Sequence, residues 1–299
     1  MTYVSFPGLG IEPFHMDRIA FSLFGVDVNW YGLIITCGMI LAVLYALWHA
    51  KHEGVKSDDI IDLALALIFC GVLGARLYYV IMEFDQYLVT DGTFWKNVGS
   101  TLYNIIAIWN GGLAIYGGII AGFLAALVVA RAKRIPFPVI ADIAGPAVMV
   151  GQIIGRWGNF VNVEAYGAET TLPWRMGVLY SFNDGVSFVS EKFVHPTFLY
   201  ESLWNLVGLI LITYLYKKKK FHGQMFLTYM TWYGFGRMLI EGLRADSLYV
   251  GSIRISQLVG FVTFIVGAVL LTVYLRRVKK TSVNNTDEEM KTSEVENDG

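Results

Sequence analysis

Residues 151–167 read GQIIGRWGNFVNVEAYG. An apolar, glycine-containing run ends in Arg156, and Asn159, Asn162 and Glu164 follow within eight residues. A guanidinium at the end of a run apolar enough to enter a membrane is costly unless it has a task there. Its planar fork of donors suits a phosphate or a carboxylate. Two Asn amides and a carboxylate beside it can position a polar ligand, and Gly158 and Gly167 permit turns or close backbone approach. The stretch points to a phosphate-recognising site at a membrane surface.

The rest of the chain agrees with a membrane reading. Its 299 residues are 55% hydrophobic and 16% charged, with a mean hydropathy of +0.52. That is too apolar for an ordinary soluble domain. Seven apolar runs, at about 30–49, 60–82, 110–131, 137–156, 198–216, 224–243 and 255–275, each approach the roughly 20 residues that span the hydrocarbon as a helix. The expected fold is an all-α polytopic membrane protein of about seven transmembrane helices. Cys37 and Cys70 both fall in apolar runs and read as small buried hydrophobes. No CxxC or zinc spacing exists, so no metal or other cofactor is expected. No basic region precedes an apolar run at the N-terminus, so no cleaved signal peptide is expected. No Walker loop or nucleic-acid surface is visible.

Lys and Arg orient the chain. Lys51 and Lys56 follow the first run, and Arg131, Lys133 and Arg134 the third. Lysines 217–220 follow the fifth, and Arg276, Arg277, Lys279 and Lys280 the seventh. The other connections carry only Lys96, Arg175, Lys192 and Arg254. The positive-inside rule then places the N-terminus outside and the C-terminus in the cytoplasm. Residues 1–16 are turn-rich and expected on the membrane surface, and the aromatics of 83–109 suit the interface. Residues 157–197 are expected to form a small extracytoplasmic head, with a hairpin at the Asn-Asp-Gly signal of FNDGVSFVSEKF. A catalytic membrane domain is assigned to residues 1–280. The acidic end, 281–299, lacks aromatics and reads as a disordered cytoplasmic tail.

Depth can be counted at about 1.5 Å per residue, which puts Arg156 roughly 28 Å along its run and Arg237 roughly 20 Å along its own. Arg237, Glu241 and Arg244 share one helical face. Tyr31, Arg76, Tyr116 and Glu201 count to the same outer level. Four arginines and three glutamates in one layer, Glu164 included, would make a positively biased cavity suited to a lipid phosphate. Each group also has a plain reading, as an ion-pair stripe joining helices or a snorkelling end. Convergence at one depth favours a site. Asp142 lies towards the opposite end and reads as structural. His15, His49, His52 and His222 read as surface or interface residues. His195, in HPTFLYE, is at the correct end of a helix and reads equally as structural or functional.

GRWGNFVNVEAYG, residues 155–167, closely resembles the signature of bacterial prolipoprotein diacylglyceryl transferases. VNWYGL around Tyr31, GARLYYV around Arg76, IWNGGLAIYGG around Tyr116, HPTFLYE ending at Glu201 and GFGRMLIEGLR ending at Arg244 resemble that family's other blocks, in its order. The resemblance implies transfer of the diacylglyceryl group of phosphatidylglycerol to the lipobox cysteine thiol of a prolipoprotein signal peptide. A thioether forms, glycerol 1-phosphate leaves, and the nucleophile belongs to the substrate. It further implies that Arg156 and Arg237 are essential, with Tyr116, Glu201 and Glu241 also catalytic. Tyr31, Arg76, Asn159, Asn162, Glu164, Gly167, His195 and Arg244 are the expected substrate-binding residues. Many relatives carry histidine where Tyr116 stands. Tyrosine, with an unperturbed pKa near 10, is a poorer base. The proton acceptor stays open among Glu201, Glu241, His195 and no dedicated base, with Tyr116 then orienting substrate. The competing reading is an outward-facing transporter or binding protein for anionic lipids. It would place its charges at the midplane between repeated halves, and no repeat is visible.

Overall fold

The apolar runs fold as helices at nearly the expected bounds. The computed structural model describes residues 1–90, 92–181, 188–247 and 249–297. Helices α1 (Trp30–Ala50), α2 (Ser57–Met82), α4 (Ile115–Lys133), α5 (Phe137–Asn162), α6 (Thr197–Tyr216), α7 (Gln224–Glu241) and α8 (Ile255–Asn297) match the seven runs. Six of them are long and apolar enough to cross a membrane. The exception among the seven is α7, where Gln224, Thr228, Thr231, Arg237 and Glu241 dilute an 18-residue helix. The chain is therefore a multi-pass membrane protein by the length and composition of its helices. A shorter helix, α3 (Phe94–Ile106), lies in the aromatic connection after α2 and has no buried residue. α8 continues to Asn297, past residue 281, where composition alone ends the ordered part. The tail has no proline, and its Glu, Lys and Met residues favour extending an existing helix.

Two compact units make up the chain: Leu47–Ile140, and Met1–Ala46 with Ala141–Gly299. In the first, α2 and α4 pack antiparallel along small residues. A Cβ on Gly74 would stand 2.6 Å from the carbonyl oxygen of Gly117, and one on Gly118 would stand 3.3 Å from that of Gly71. Gly117, Gly118 and Gly122 of GGLAIYGGIIAG thus serve close helix packing. At the other end Lys133 bridges Asp59 at 3.0 Å and Asp62 at 2.5 Å.

In the larger unit, α6 and α7 are locked by two tryptophans. Trp204 and Trp232 stack 4.6 Å apart, and each indole N–H donates to the other's carbonyl, at 3.0 and 2.9 Å. This fixes the rotation of both helices, one turn from Glu201 and Arg237. Asp142 of α5, fully buried, accepts the backbone N–H groups of Gly223 at 2.7 Å and Phe226 at 2.9 Å. It also pairs with Lys219 at 2.9 Å. It caps α7 from a neighbouring helix, satisfying N–H groups that the first turn leaves open. Asp142 is structural, as its position suggests.

The small head is a four-stranded antiparallel sheet in the order β2-β1-β5-β6. β5 (Met176–Ser181) and β6 (Phe188–Val194) pair as the expected hairpin arms. Their Asn-Asp-Gly turn lies outside the described residues. The N-terminal segment is more ordered than expected: β1 (Thr2–Phe6) pairs with both β2 (Ile11–His15) and β5. A separate hairpin, β3 (Ile19–Leu23) and β4 (Val26–Asn29), leads into α1. A further two-residue ladder, β7 (Tyr249–Val250) with β8 (Ile253–Arg254), precedes α8. The head core is Val4, Met176, Val178 and Val194, closed by Val163 and Phe198. Val163 belongs to the loop that follows α5, so the head clamps the loop of the sequence signature.

Candidate active site

α5 runs six residues further than hydropathy alone suggests, to Asn162. Arg156 and Asn159 are therefore three apart on one helical face, and Arg156 Nη1 donates to Asn159 Oδ1 at 3.3 Å. The helix ends in a left-handed cap. Val163 has φ +52°, its N–H donates to Phe160 O at 3.0 Å, and Glu164 N–H donates to Asn159 O at 3.0 Å. This is the bonding of a Schellman motif, which ordinarily uses glycine at that position. A left-handed, β-branched residue costs roughly 1–2 kcal/mol. Burial of its side chain in the head core offsets that strain. Ala165 is also left-handed, at φ +56°, so Glu164 sits between two strained residues. Its carboxylate accepts from Asn159 Nδ2 at 2.9 Å. Such strain persists only where the surroundings over-determine it.

The loop is then tied to the end of α7. Gly167 pairs with Arg244 as an isolated bridge, and Ala168 N–H donates to Leu243 O at 2.7 Å. Gly167 N–H donates to His195 O at 2.9 Å. A Cβ on Gly167 would stand 2.6 Å from His195 Cβ and 2.8 Å from Leu243 O. No larger residue fits without moving backbone. Thr197 Oγ1 adds a bond to Ala165 O at 2.6 Å.

These constraints converge on Glu201, in the first turns of α6 and 4% exposed. Arg156 Nη2 of α5 reaches its Oε2 at 2.6 Å. Arg237 Nη1 of α7 donates to both carboxylate oxygens, at 2.9 and 3.1 Å. Arg244 Nη1 stands 3.7 Å away. Glu241, 2% exposed, lies 2.5 Å from Arg237 Nη2 and 3.9 Å from Arg244 Nε. The Arg237–Glu241 contact is ionic, since the N–H is not aligned on the oxygen. Three guanidiniums thus gather on two buried carboxylates. Arg244 is further held by a two-pronged contact with Asp246, at 3.0 and 2.9 Å. Burial raises the pKa of Asp246, but the hydrogen bonds and charge of Arg244 outweigh this and leave it lowered.

The remaining expected residues divide. Tyr31, in the first turn of α1, lays its ring over Gly158, 3.0 Å from where a Cβ would sit. Asn162 offers its carbonyl to Arg18 at 3.2 Å. His195 contributes backbone to the loop, while its Nδ1 contacts Tyr200 Oη at 3.3 Å. Burial lowers its pKa and favours the neutral ring. Tyr116 is the second residue of α4 in the other unit, and half-buried. Arg76 departs from expectation. It is 6% exposed, and all five of its N–H groups are donated to backbone carbonyls, at 2.5 to 3.2 Å. It has no donor left for a phosphate, because the turn after α3 folds over it. Sequence reasoning missed Asp246, two residues from Arg244, and Arg254, whose Nη1 donates to Glu241 O at 2.6 Å. The first could have been found as a carboxylate beside a candidate arginine. The second has no local signal. Among the described residues no group of His, Cys, Asp and Glu could hold a metal ion.

Residues 18–273 match the family model for prolipoprotein diacylglyceryl transferase. A phosphatidylglycerol–prolipoprotein diacylglyceryl transferase of Finegoldia magna is 45% identical over 267 residues, covering 89% of this chain and 99% of that protein. The protein of the same name from Clostridioides difficile is 42% identical over 270 residues, covering 90% and 99%. That of Listeria welshimeri is 41% identical over 273 residues, covering 91% and 93%. With arginines gathered on one buried carboxylate and similarity along nearly its whole length, the chain belongs to the prolipoprotein diacylglyceryl transferase family.

Proposed function

We propose that this protein transfers the diacylglyceryl group of phosphatidylglycerol to the lipobox cysteine of a prolipoprotein signal peptide, the first step of lipoprotein maturation. The observation that carries this is the cluster of Arg156, Arg237 and Arg244 around Glu201 and Glu241. The names of the relatives support both substrates. The cysteine sulfur attacks the glycerol carbon that bears the phosphate. The carbon–sulfur bond forms as the carbon–oxygen bond breaks, and glycerol 1-phosphate leaves with the bonding electrons. The phosphate goes from a singly charged diester towards a doubly charged monoester. Guanidinium donors that are already in place favour this change, because they act more strongly on the transition state than on the bound lipid. Arg156 and Arg237 hold the phosphate in this reading, and Glu201 and Glu241 orient their forks. Arg244, Asn159, Asn162, Glu164 and Tyr31 shape the surroundings, with Gly167 and His195 fixing the loop through backbone. The thiol proton goes to a nearby carboxylate or to solvent, and Tyr116 orients substrate through its hydroxyl.

We also place the N-terminus and the head outside the bacterial cytoplasmic membrane, with the site facing the outer leaflet and the C-terminus inside. The alternation of basic connections supports this. The test uses purified protein in detergent with phosphatidylglycerol and a lipobox peptide. A diacylglyceryl mass gain on the peptide, absent with a Cys→Ser peptide and absent with a zwitterionic donor, is expected. A folded protein that adds no mass with any anionic donor contradicts the reading.

A further inference from the structure

Arg76 is a buried cation that the proposed chemistry does not use. Its Nε donates to Ile105 O at 2.8 Å, Nη2 to Asn104 O at 2.7 Å and to Ala107 O at 3.2 Å, and Nη1 to Gly111 O at 2.5 Å and to Gly112 O at 2.9 Å. Among the described residues it makes no ion pair. Its charge is instead met by carbonyl dipoles and by the face of Tyr87, 4.9 Å from the guanidinium carbon. The carbonyls of Asn104 and Ile105 lie in the last turn of α3, whose carbonyls lack intrahelical donors and form the negative end of that helix. Gly111 and Gly112 both have positive φ, +87° and +76°. A Cβ on Gly112 would stand 2.5 Å from Arg76 Nη1. Directly after this turn, Ala114 N–H donates to Ala75 O at 3.0 Å, and α4 begins at Ile115 with Tyr116 as its second residue. One side chain therefore ties the end of α3, a double-glycine turn and the start of α4 to α2.

We propose that Arg76 is a positioning residue: it fixes the segment 104–114 and thereby the placement of Tyr116, and it does not touch the phosphate. The inference rests on the proposed function for its link to turnover, but not for its structural half. Lysine cannot replace the fork, since it has three donors radiating from one point. The test compares wild type with Arg76→Lys and Gly112→Ala, which loosens the same turn from the other side. Hydrogen exchange of the amides at 104–114 is measured beside the kinetics. Losing two or more bonds of about 1 kcal/mol each is expected to speed exchange there by about 30-fold or more. Misplacement of the substrate-orienting group is expected to lower kcat by up to about 10²-fold, with KM for phosphatidylglycerol unchanged. Adding Arg76→Lys to Tyr116→Phe is expected to cost nothing beyond Tyr116→Phe alone. A raised KM with unchanged exchange would make Arg76 a phosphate ligand and overturn the proposal. So would a Gly112→Ala protein whose loop opens while kcat stays at the wild-type value, or additive losses in the double variant. If wild type itself shows no transfer, the proposed function fails, while the exchange data still decide whether Arg76 holds the turn.

Discussion

Replacing Glu201 by glutamine removes the negative charge that three arginines share and leaves the side-chain shape unchanged. At about 4 Å and an effective dielectric of about 20, each charge pair is worth roughly 4 kcal/mol before solvation is counted. Burying the carboxylate offsets several kcal/mol of that. Removing one partner of a buried pair still costs about 3–5 kcal/mol, because the charges left behind lose their counter-ion. Arg156 at 2.6 Å loses this carboxylate, Arg237 at 2.9 Å is left with Glu241, and the net charge of the cluster rises by one. Glu201→Gln is therefore expected to unfold earlier than wild type in a denaturant titration in detergent, followed by tryptophan fluorescence. Glu241→Gln is expected to cost less, since its carboxylate has one close ion pair, with Arg237, and Arg244 stands 3.9 Å away among the described residues. The same change frees guanidinium donors for an outside anion. Glycerol 1-phosphate at about 100 times its dissociation constant stabilises a protein by about 2.7 kcal/mol. The Glu201→Gln protein should respond to it at lower concentrations than wild type. A variant as stable as wild type, or one that responds to the anion no more than wild type, would refute Glu201 as the counter-ion of this cluster.

Gly167→Ala forces a methyl group against Leu243 O and His195 Cβ, and such overpacking costs about 1–3 kcal/mol. Transfer should fall further than the melting midpoint does, because the displaced loop carries Glu164. Asp142→Asn should lower stability by about 3–5 kcal/mol, as it removes from a fully buried site the charge that pairs with Lys219. The transfer rate per folded molecule should stay near wild type, and its loss would show that the α7 cap matters to chemistry. Asp246 has a lowered pKa from its pairing with Arg244. Its contribution is present above the unfolded carboxylate pKa near 3.9 and disappears as pH falls through the lower folded value. Asp246→Asn should flatten stability over that acid range, and an unchanged acid limb would count against the pair.

Much of the site was legible because its signals are local. Arg237 and Glu241 declare themselves by a spacing of four in α7, and Arg156 by its place at the end of an apolar run. What spacing cannot show is which partners meet across elements. That Glu201 takes up arginines from α5 and α7 depends on helix rotation, which the Trp204–Trp232 pair sets through contacts 28 residues apart. The head was half visible for the same reason. The arms of the β5–β6 hairpin alternate locally, whereas Tyr3 pairs with Leu179 across most of the chain. Hydropathy ended α5 near Arg156, because Trp157, Asn159 and Asn162 break the apolar run without breaking the helix. For Arg76 the depth along its run is legible in the sequence, but where its donors go is not. The carbonyls that take them come from residues 28 to 36 positions later.

The central claim is that Arg156 and Arg237 hold the phosphate of the lipid donor. The measurement that tests it most directly is the transfer rate and the product-inhibition constant of glycerol 1-phosphate, for wild type and for Arg156→Ala and Arg237→Ala proteins shown to be folded. Loss of one such electrostatic contact is expected to lower kcat by about 10²- to 10³-fold and to weaken inhibition by the product. Variants that transfer at the wild-type rate, with unchanged product inhibition, would contradict the account.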